Sequence, residues 1–266
     1  TCNNGQCVTM EQRCDQISNC RDESDEEGCR LMVVKPSYNK KVPPIGIEND
    51  EVVPVEVNVT IALMKITDII ETKHKIVLKF GIKLKWYENR AQFHNLKKES
   101  SLNALNDKEI EDMWLPFIIY DNTDQNEAVR LHEDVKTTVT VNRAGGFVRS
   151  GVDVADEIEI FEGNPESSLG GNYVEMRQTY SKEFQCEYQL HRYPFDIQVC
   201  SIDLGVMELE QRTVKLIPEE VIMNSKIELT MYIITQYSIQ YRNISDSKAG
   251  IQMQITLKRR IINEML

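Results

Sequence analysis

Five of the seven cysteines, Cys2, Cys7, Cys14, Cys20 and Cys29, fall in the first thirty residues, interleaved with seven acids: Glu11, Asp15, Asp22, Glu23, Asp25, Glu26 and Glu27. A segment that short cannot bury enough apolar surface to fold alone. Its cysteines therefore read as disulfides, and its carboxylates as hard oxygen ligands for calcium, which takes roughly six to eight; the same acids would also serve as a plain solvated face. The remaining cysteines, Cys186 and Cys200, enclose thirteen residues that include Tyr193-Pro194-Phe195-Asp196. A disulfide closing such a loop removes unfolded-chain entropy worth about 3 kcal/mol, and Pro194 stiffens it by fixing its own φ and pushing Tyr193 toward an extended conformation. By spacing alone this is an ordinary disulfide hairpin of a secreted domain. Such cysteine usage indicates an oxidising, extracellular setting. The triplets Asn58-Val59-Thr60 and Asn243-Ile244-Ser245 are N-glycosylation acceptors suited to it. The four histidines, His74, His94, His132 and His191, fall in no metal-ligand or catalytic-triad spacing, so the chain is not read as an enzyme.

Strands must position these groups. Val55, Val57, Val59, Ile61 and Leu63 alternate with Glu56, Asn58, Thr60, Ala62 and Met64, and Ile76, Leu78, Phe80, Ile82, Leu84 and Trp86 alternate with Val77, Lys79, Gly81, Lys83 and Lys85. This period of two predicts two half-buried strands, the second with its odd-numbered face outward. Lysines on an outward face ordinarily serve solubility. Strand-like pieces at 137–141, 157–161 and 173–184 are separated by Ala144-Gly145-Gly146 and by the turn-rich stretch 164–171. Ile227, Leu229, Met231, Ile233, Tyr237, Ile239 and Tyr241 predict a long strand, and Ile251, Met253, Ile255 and Leu257 its return. Residues 31–54, with Pro36, Pro43, Pro44 and Pro54, read as a linker. The 266 residues suffice for one large all-β domain plus something small. A net charge of -11 argues against a nucleic-acid partner. No run of eighteen apolar residues is present to span a membrane, and the lack of a leader at residue 1 suggests a mature or excised fragment.

Taken together, the thirteen-residue spacing, the Tyr193-Pro194-Phe195-Asp196 core and Gln198 two before Cys200 resemble the signature loop of the pentameric Cys-loop ligand-gated ion channels. Ser37-Tyr38-Asn39-Lys40-Lys41-Val42-Pro43-Pro44 resembles the segment after that family's N-terminal helix, leaving residues 30–35 to form a short helix. Trp86-Tyr87-Glu88-Asn89-Arg90 resembles its Trp-x-Asp-x-Arg motif, with Glu for Asp. Trp114-Leu115-Pro116 resembles the approach to the first principal-face binding loop, although a large aromatic such as Trp114 is more at home in a core. Leu257-Lys258-Arg259-Arg260-Ile261 resembles the basic segment before the first transmembrane helix. The resemblance implies an all-β fold: a twisted immunoglobulin-like β-sandwich of about ten strands with a short N-terminal helix, preceded by a small disulfide and calcium module. Residues 31–54 would be the linker and short helix and 55–266 the extracellular domain, with 123–185 an enlarged insertion region.

What the resemblance implies for function is agonist binding at subunit interfaces, coupled to pore opening. The partners would be four further subunits, identical or not, a small-molecule agonist, and the membrane through a transmembrane domain absent from this chain. The location would be the extracellular side of the plasma membrane. Carried over by position, the agonist pocket would involve Gly81 and Lys83 on the complementary face and Asp121, Met207, Tyr237, Tyr241 and Lys248 on the principal face. Each well-placed ring contributes roughly 0.5 to 2 kcal/mol to an ammonium ligand; with only Tyr237 and Tyr241 aromatic, a quaternary amine is disfavoured in a homomeric assembly. Glu71, Asp196 and Arg259 take the positions of the gating coupling, where carboxylate and guanidinium pair strongly if partly desolvated. Read without the resemblance, Glu71 is a plain exposed glutamate. Phe195, where anion channels commonly have Met, points toward cation conduction.

Residues 1–30, with Cys2-Asn3-Asn4-Gly5-Gln6-Cys7, Cys14-Asp15 and Cys20-Arg21-Asp22-Glu23-Ser24-Asp25-Glu26-Glu27-Gly28-Cys29, resemble a low-density-lipoprotein receptor class A repeat lacking its first cysteine. This implies bridges Cys2-Cys20 and Cys14-Cys29, with Cys7 paired upstream of residue 1. It also implies Ca2+ held by the side chains of Asp15, Asn19, Asp25 and Glu26 and the main-chain carbonyls of Gln12 and Ile17, with Asp22 in support. Asn19 stands where the repeat usually has Asp, and Gln12 where it has Trp, so calcium binding should be weakened; chelation is expected to loosen residues 1–30 and leave the sandwich intact. A secreted soluble ligand-binding protein of the same fold without a pore is the alternative. The Arg259-Arg260 segment speaks against it, since such a protein has no membrane partner to couple to.

Overall fold

The computed structural model describes residues 2–9, 11–48, 51–123, 128–129, 135–142, 172–207, 210–224, 227, 229–245 and 248–261. The piece at 157–161 and most of the 123–185 region lie outside them. Among the described residues the strands are β1 (Met32–Val34), β2 (Gly46–Glu48), β3 (Glu51–Val53), β4 (Val55–Ile70), β5 (Lys75–Tyr87), β6 (Ala91–Phe93) and β7 (Ile118–Tyr120). They continue with β8 (Ala128–Val129), β9 (Thr138–Asn142), β10 (Tyr173–Gln185), β11 (Ile197–Val206), β12 (Val214–Met223), β13 (Tyr232–Ser245) and β14 (Lys248–Arg259). One short helix, α1 (Asp107–Glu111), accompanies them. Two five-stranded sheets form, in the orders β12-β4-β5-β10-β9 and β13-β14-β11-β7-β8, besides the pairs β1-β6 and β2-β3. The described parts of Thr1–Pro44, Tyr87–Trp114 and Thr138–Glu175 form one unit, and those of Ile45–Trp86, Leu115–Thr137 and Met176–Leu266 a second.

In the second unit one face of each sheet turns inward, which forces the period of two seen in the sequence. Val57, Val59, Ile61 and Leu63 of β4 and the even-numbered residues Ile76 to Trp86 of β5 are all 3% exposed or less. Ile202 and Leu204 of β11 and Ile251, Met253, Ile255 and Leu257 of β14 oppose them, each fully buried. Aromatic rings fasten the two layers. Phe80 of β5 meets Tyr120 of β7 edge-on at 5.9 Å and packs on Tyr180 and Phe184 of β10 at 5.8 and 5.7 Å.

One strand here is not read from the sequence, and another departs in part from its expected pattern. Strand β12 runs parallel to β4, its register breaking between Pro218 and Glu220; Pro218 lacks a donor and is tolerated because β12 is an edge strand. Within that break Glu219 accepts a 2.8 Å hydrogen bond from the Thr60 hydroxyl, which is otherwise buried. Strand β13 begins at Tyr232, and up to the register shift between Ile234 and Gln236 its phase is the reverse of the apolar pattern; beyond it Tyr237, Ile239 and Tyr241 share the face of Ile255, Met253 and Ile251, as that pattern has them. Tyr232 is 2% exposed, whereas Met231 and Ile233 are 51% and 40% exposed.

In the first unit the expected short helix over residues 30–35 is instead extended. Met32 pairs with Phe93 across β1 and β6, and both are buried. The β-branched Val33 and Val34 favour this conformation. Glu109 secures it: its carboxylate accepts from Leu31 N and Met32 N at 2.8 and 3.0 Å while closing the capping box of α1 with Asn106. The linker is held by the Glu88 and Arg90 of the tryptophan motif. Arg90 grips the buried Glu88 through Nε and Nη2 at 2.9 and 2.8 Å and donates through Nη1 to Val42 O at 2.7 Å. Tyr38 donates to Glu88 at 3.1 Å and accepts from Trp114 N at 2.9 Å, and burial foremost pushes its hydroxyl up to about 12. Trp114 itself is 2% exposed and belongs to the core.

Because Phe80 is fully buried among three rings, Phe80→Ala should cost about 3 to 5 kcal/mol. Urea unfolding should show it as a lowered midpoint at unchanged slope; an unaltered midpoint would contradict the packing.

Candidate functional site

Within the second unit, the end of β14 brings Arg259 onto the loop closed by the Cys186-Cys200 disulfide. Its Nε and Nη2 donate to the two carboxylate oxygens of Asp196 at 2.7 and 2.9 Å, the bidentate geometry that a planar guanidinium suits best. Its Nη1 lies 3.0 Å from Glu71 Oε1, an ion-pair contact not aligned as a hydrogen bond. Tyr232 closes the ring, accepting from Arg259 Nη2 and donating to Glu71 Oε1 at 2.7 Å. The guanidinium also lies over the Tyr232 and Tyr193 rings, at 4.6 and 5.0 Å. Arg259 is 5% exposed and Asp196 1%. The structure therefore gathers Glu71, Asp196 and Arg259, named from the sequence, and adds Tyr232, which the apolar phasing of its strand had turned outward.

Local chemistry holds each member in place. Gln198, 1% exposed, donates to Asp196 Oδ2 at 2.6 Å and exchanges hydrogen bonds with the backbone of Gln189 at 2.8 and 3.3 Å. Glu71 opens a short turn (Glu71–Lys73) between β4 and β5, which is stitched to the disulfide loop by Cys186 N on His74 O at 2.8 Å and the Tyr188 hydroxyl on Lys75 O at 3.1 Å. The Arg259 hydrogen bond holds the Asp196 carboxyl below the ordinary range. Burial works to raise Glu71, but the Arg259 guanidinium beside it and the hydrogen bond from Tyr232 overcome it and hold that carboxyl low too. Asp196 in turn raises Arg259 against its burial, and burial foremost, then Glu71, raises Tyr232.

The expected pocket positions are more dispersed. Asp121, following β7, forms a 3.1 Å ion pair with Arg242 of β13, which also reaches Asp203 of β11 at 3.0 Å; Gln252 of β14 donates to Asp203 at 2.8 Å. Arg242, Asp203 and Gln252 are therefore site neighbours that the sequence reading did not name. Tyr237 and Tyr241 are 46% and 56% exposed and stand opposite Ile255 and Ile251, so they share the core-facing side of β13 rather than the side of Arg242. Met207 follows β11 and is 37% exposed. Gly81 is closely covered: a Cβ there would approach the end of the Met64 side chain at 3.2 Å, which would have to shift to admit it. Lys83, opposite Thr60, is half-buried on the same outward side of β5 as Gly81. Lys248 begins β14, but its side chain and that of Asn243 lie outside the described residues; Asn58 is half-buried on β4.

In the first unit, disulfides join Cys2 to Cys20 and Cys14 to Cys29, and Cys7 is free and exposed. Three carboxylates and two carbonyls form a donor set that suits calcium. Asp25 accepts from Asn19 N and Cys20 N at 2.7 and 3.1 Å, and Glu26 from Asp15 N and Gln16 N at 3.0 and 3.1 Å. Asn19 directs its amide nitrogen at Ile17 O, the Asp15 carboxylate and Gln12 O. Cys2, Cys20 and Asp22 also lie close together, but those sulfurs are bonded to each other and offer no thiolate, while Asp22 is held by the Ser24 hydroxyl at 2.7 Å. The module is anchored by Arg13 on Asn95 at 3.2 Å and by Lys97 Nζ on the Glu11 and Cys14 carbonyls, each at 3.2 Å.

Two facing sheets and a disulfide loop locked to the last strand define a disulfide-stapled β-sandwich. Residues 30–153 and 167–261 match the family model of the neurotransmitter-gated ion-channel ligand binding domain, and residues 1–29 that of the low-density lipoprotein receptor domain class A. The chain belongs to the neurotransmitter-gated ion-channel ligand-binding domain family and carries a class A module at its N-terminal end. No curated protein sequence matches it. No helix among the described residues is long and apolar enough to cross a membrane.

Asp196 and Glu71 have depressed pKa values in the folded state. Their stabilising contribution is complete above the unfolded-state values, about 3.9 and 4.3, and is lost as pH falls through the folded ones. Below about pH 4 the urea midpoint should fall with pH, and Asp196→Asn should flatten that fall; equal acid slopes in the two proteins would contradict the assignment.

Proposed function

We propose that this chain is the agonist-binding part of a pentameric ligand-gated channel subunit, located on the outer side of the plasma membrane and coupled to a pore through Arg259. The observation that carries the proposal is the buried Arg259 gripped by Asp196 of the disulfide loop and Glu71 of the β4–β5 turn. Beside it the loop exposes Tyr193 and Phe195 at 65% and 68%, and Ile197 follows at 56%. Apolar residues this exposed suit contact with a membrane domain.

The β13–β14 hairpin supplies the mechanism. Tyr232 pairs with Arg259 at one end of it and Arg242 with Gly250 toward the other. At about 3.4 Å per residue the nine steps between Gly250 and Arg259 span roughly 31 Å. A ligand that engages Asp121, Arg242, Met207, Tyr237 or Tyr241, against Gly81 and Lys83 of a neighbouring subunit, pulls on strands whose far ends carry Tyr232 and Arg259. Two acids and one arginine on the Arg242 side of β13 favour a polar or primary-amine agonist over a quaternary one. Calcium in the class A module is part of the same reading.

The test is electrophysiology on the intact subunit with its membrane domain, using a panel that spans primary-amine, amino-acid and quaternary-ammonium ligands. A current evoked by a non-quaternary ligand is expected. Arg242→Ala, which unbalances Asp121 and Asp203, should shift its half-maximal concentration by at least about tenfold, or 1.4 kcal/mol, at unchanged surface expression. A soluble, secreted assembly that binds ligand and yields no current would overturn the proposal.

A further inference from the structure

We propose that the side-chain amide of Asn19 stands in for the calcium ion of the class A module, so that residues 1–29 hold their fold without calcium and bind it only by displacing that amide. The inference starts from the class A match and concerns what this chain has changed within it.

Asn19 Nδ2 lies 2.7 Å from Ile17 O, 3.2 and 3.3 Å from the two Asp15 carboxylate oxygens and 3.4 Å from Gln12 O. These are oxygens that the repeat would turn toward a cation. Left to themselves they would repel one another, and here the positive end of an amide dipole, carrying two N–H donors, lies among them. The other two carboxylates have donors of their own. Both oxygens of Asp25 and both of Glu26 accept backbone N–H groups at 2.7 to 3.1 Å. No carboxylate of the set depends on a metal for its partner.

A second observation ties the two departures from the repeat together. Gln12, where the repeat usually has Trp, donates through Nε2 to Asn19 Oδ1 at 3.4 Å, and its own Oε1 accepts from Thr9 N at 3.0 Å. The two amides thus form one chain that keeps the oxygen of Asn19 outward and its nitrogen inward. Lys97 adds a cation to the rim through the Cys14 carbonyl at 3.2 Å. An aspartate at position 19 would instead bring a fourth carboxylate to the same point, and only a metal would neutralise it.

The experiment is limited proteolysis of the intact chain in calcium and in EGTA, read as the rate of cleavage within residues 1–29, with calcium titration by calorimetry alongside. In the wild type the rate should change less than twofold on chelation, contrary to the loosening expected from the repeat pattern alone. Asn19→Asp should be cleaved at least tenfold faster in EGTA than in calcium, and should bind calcium at least tenfold more tightly than the wild type. A wild-type module that opens on chelation overturns the proposal, as does equal calcium affinity in the two proteins. The wild-type arm decides the matter even if Asn19→Asp fails to fold.

Discussion

A guanidinium taken almost wholly out of water is the constraint around which the larger unit is built. Desolvating such an ion costs several kcal/mol, and the cost is recovered only if its hydrogen-bonding directions meet well-placed partners. For Arg259 these are both oxygens of Asp196 and the Tyr232 hydroxyl, with the Glu71 carboxylate in ion-pair contact at 3.0 Å. Three separate pieces of chain must therefore arrive together: the disulfide loop, the β4–β5 turn and the start of β13. The Cys186-Cys200 bond and the Gln198 hydrogen bonds fix the first, and His74 and Lys75 carbonyls tie it to the second. A buried pair of this kind adds little net stability, but it tolerates few geometries, which is what a two-position element requires.

The same hairpin that carries Tyr232 and Arg259 also carries Arg242, so two clusters, each of one arginine and two acids, lie on one pair of strands. Between them β13 is an edge strand, with Ile233, Tyr237 and Tyr241 all substantially exposed, whereas β14 beside it is buried on its inner face. An edge strand loses fewer packed contacts when displaced than a central one. Under the proposed coupling, motion introduced near Arg242 and Asp121 would have an easier route along β13 and β14 than across the aromatic core around Phe80.

Much of this was legible in the sequence, for identifiable reasons. Alternation along β4 and β5 was readable because one face is sealed and the other is not, and three separate likenesses to the family, the Cys186 loop, the turn before Trp86 and the basic segment at 257–261, named Asp196, Glu71 and Arg259. The start of β13 departs from the apolar pattern because apolar side chains on an exposed edge carry the same signature as buried ones; the hydrogen bonds of Tyr232 turn it inward, and the register shift after Ile234 restores the pattern at Tyr237 and Tyr241. Residues 30–35 were taken for a helix since nothing local reveals that Glu109, far along the chain, receives their N–H groups. The partnership of Arg242 with Asp121 and Asp203 was equally hidden, because an outward polar residue on a strand does not name its partner. Asn19 and Gln12 were each seen as departures from the repeat, but their hydrogen bond to one another needed three dimensions.

The central claim is that Arg259 and Glu71 act as one coupled element rather than as two independent structural residues. A double-mutant cycle with Glu71→Gln, Arg259→Gln and the double substitution, read as half-maximal agonist concentration on the intact subunit, measures that coupling directly. A departure from additivity of at least about 1.4 kcal/mol, tenfold in concentration, is the result predicted. Effects that add to within about 0.5 kcal/mol would contradict it.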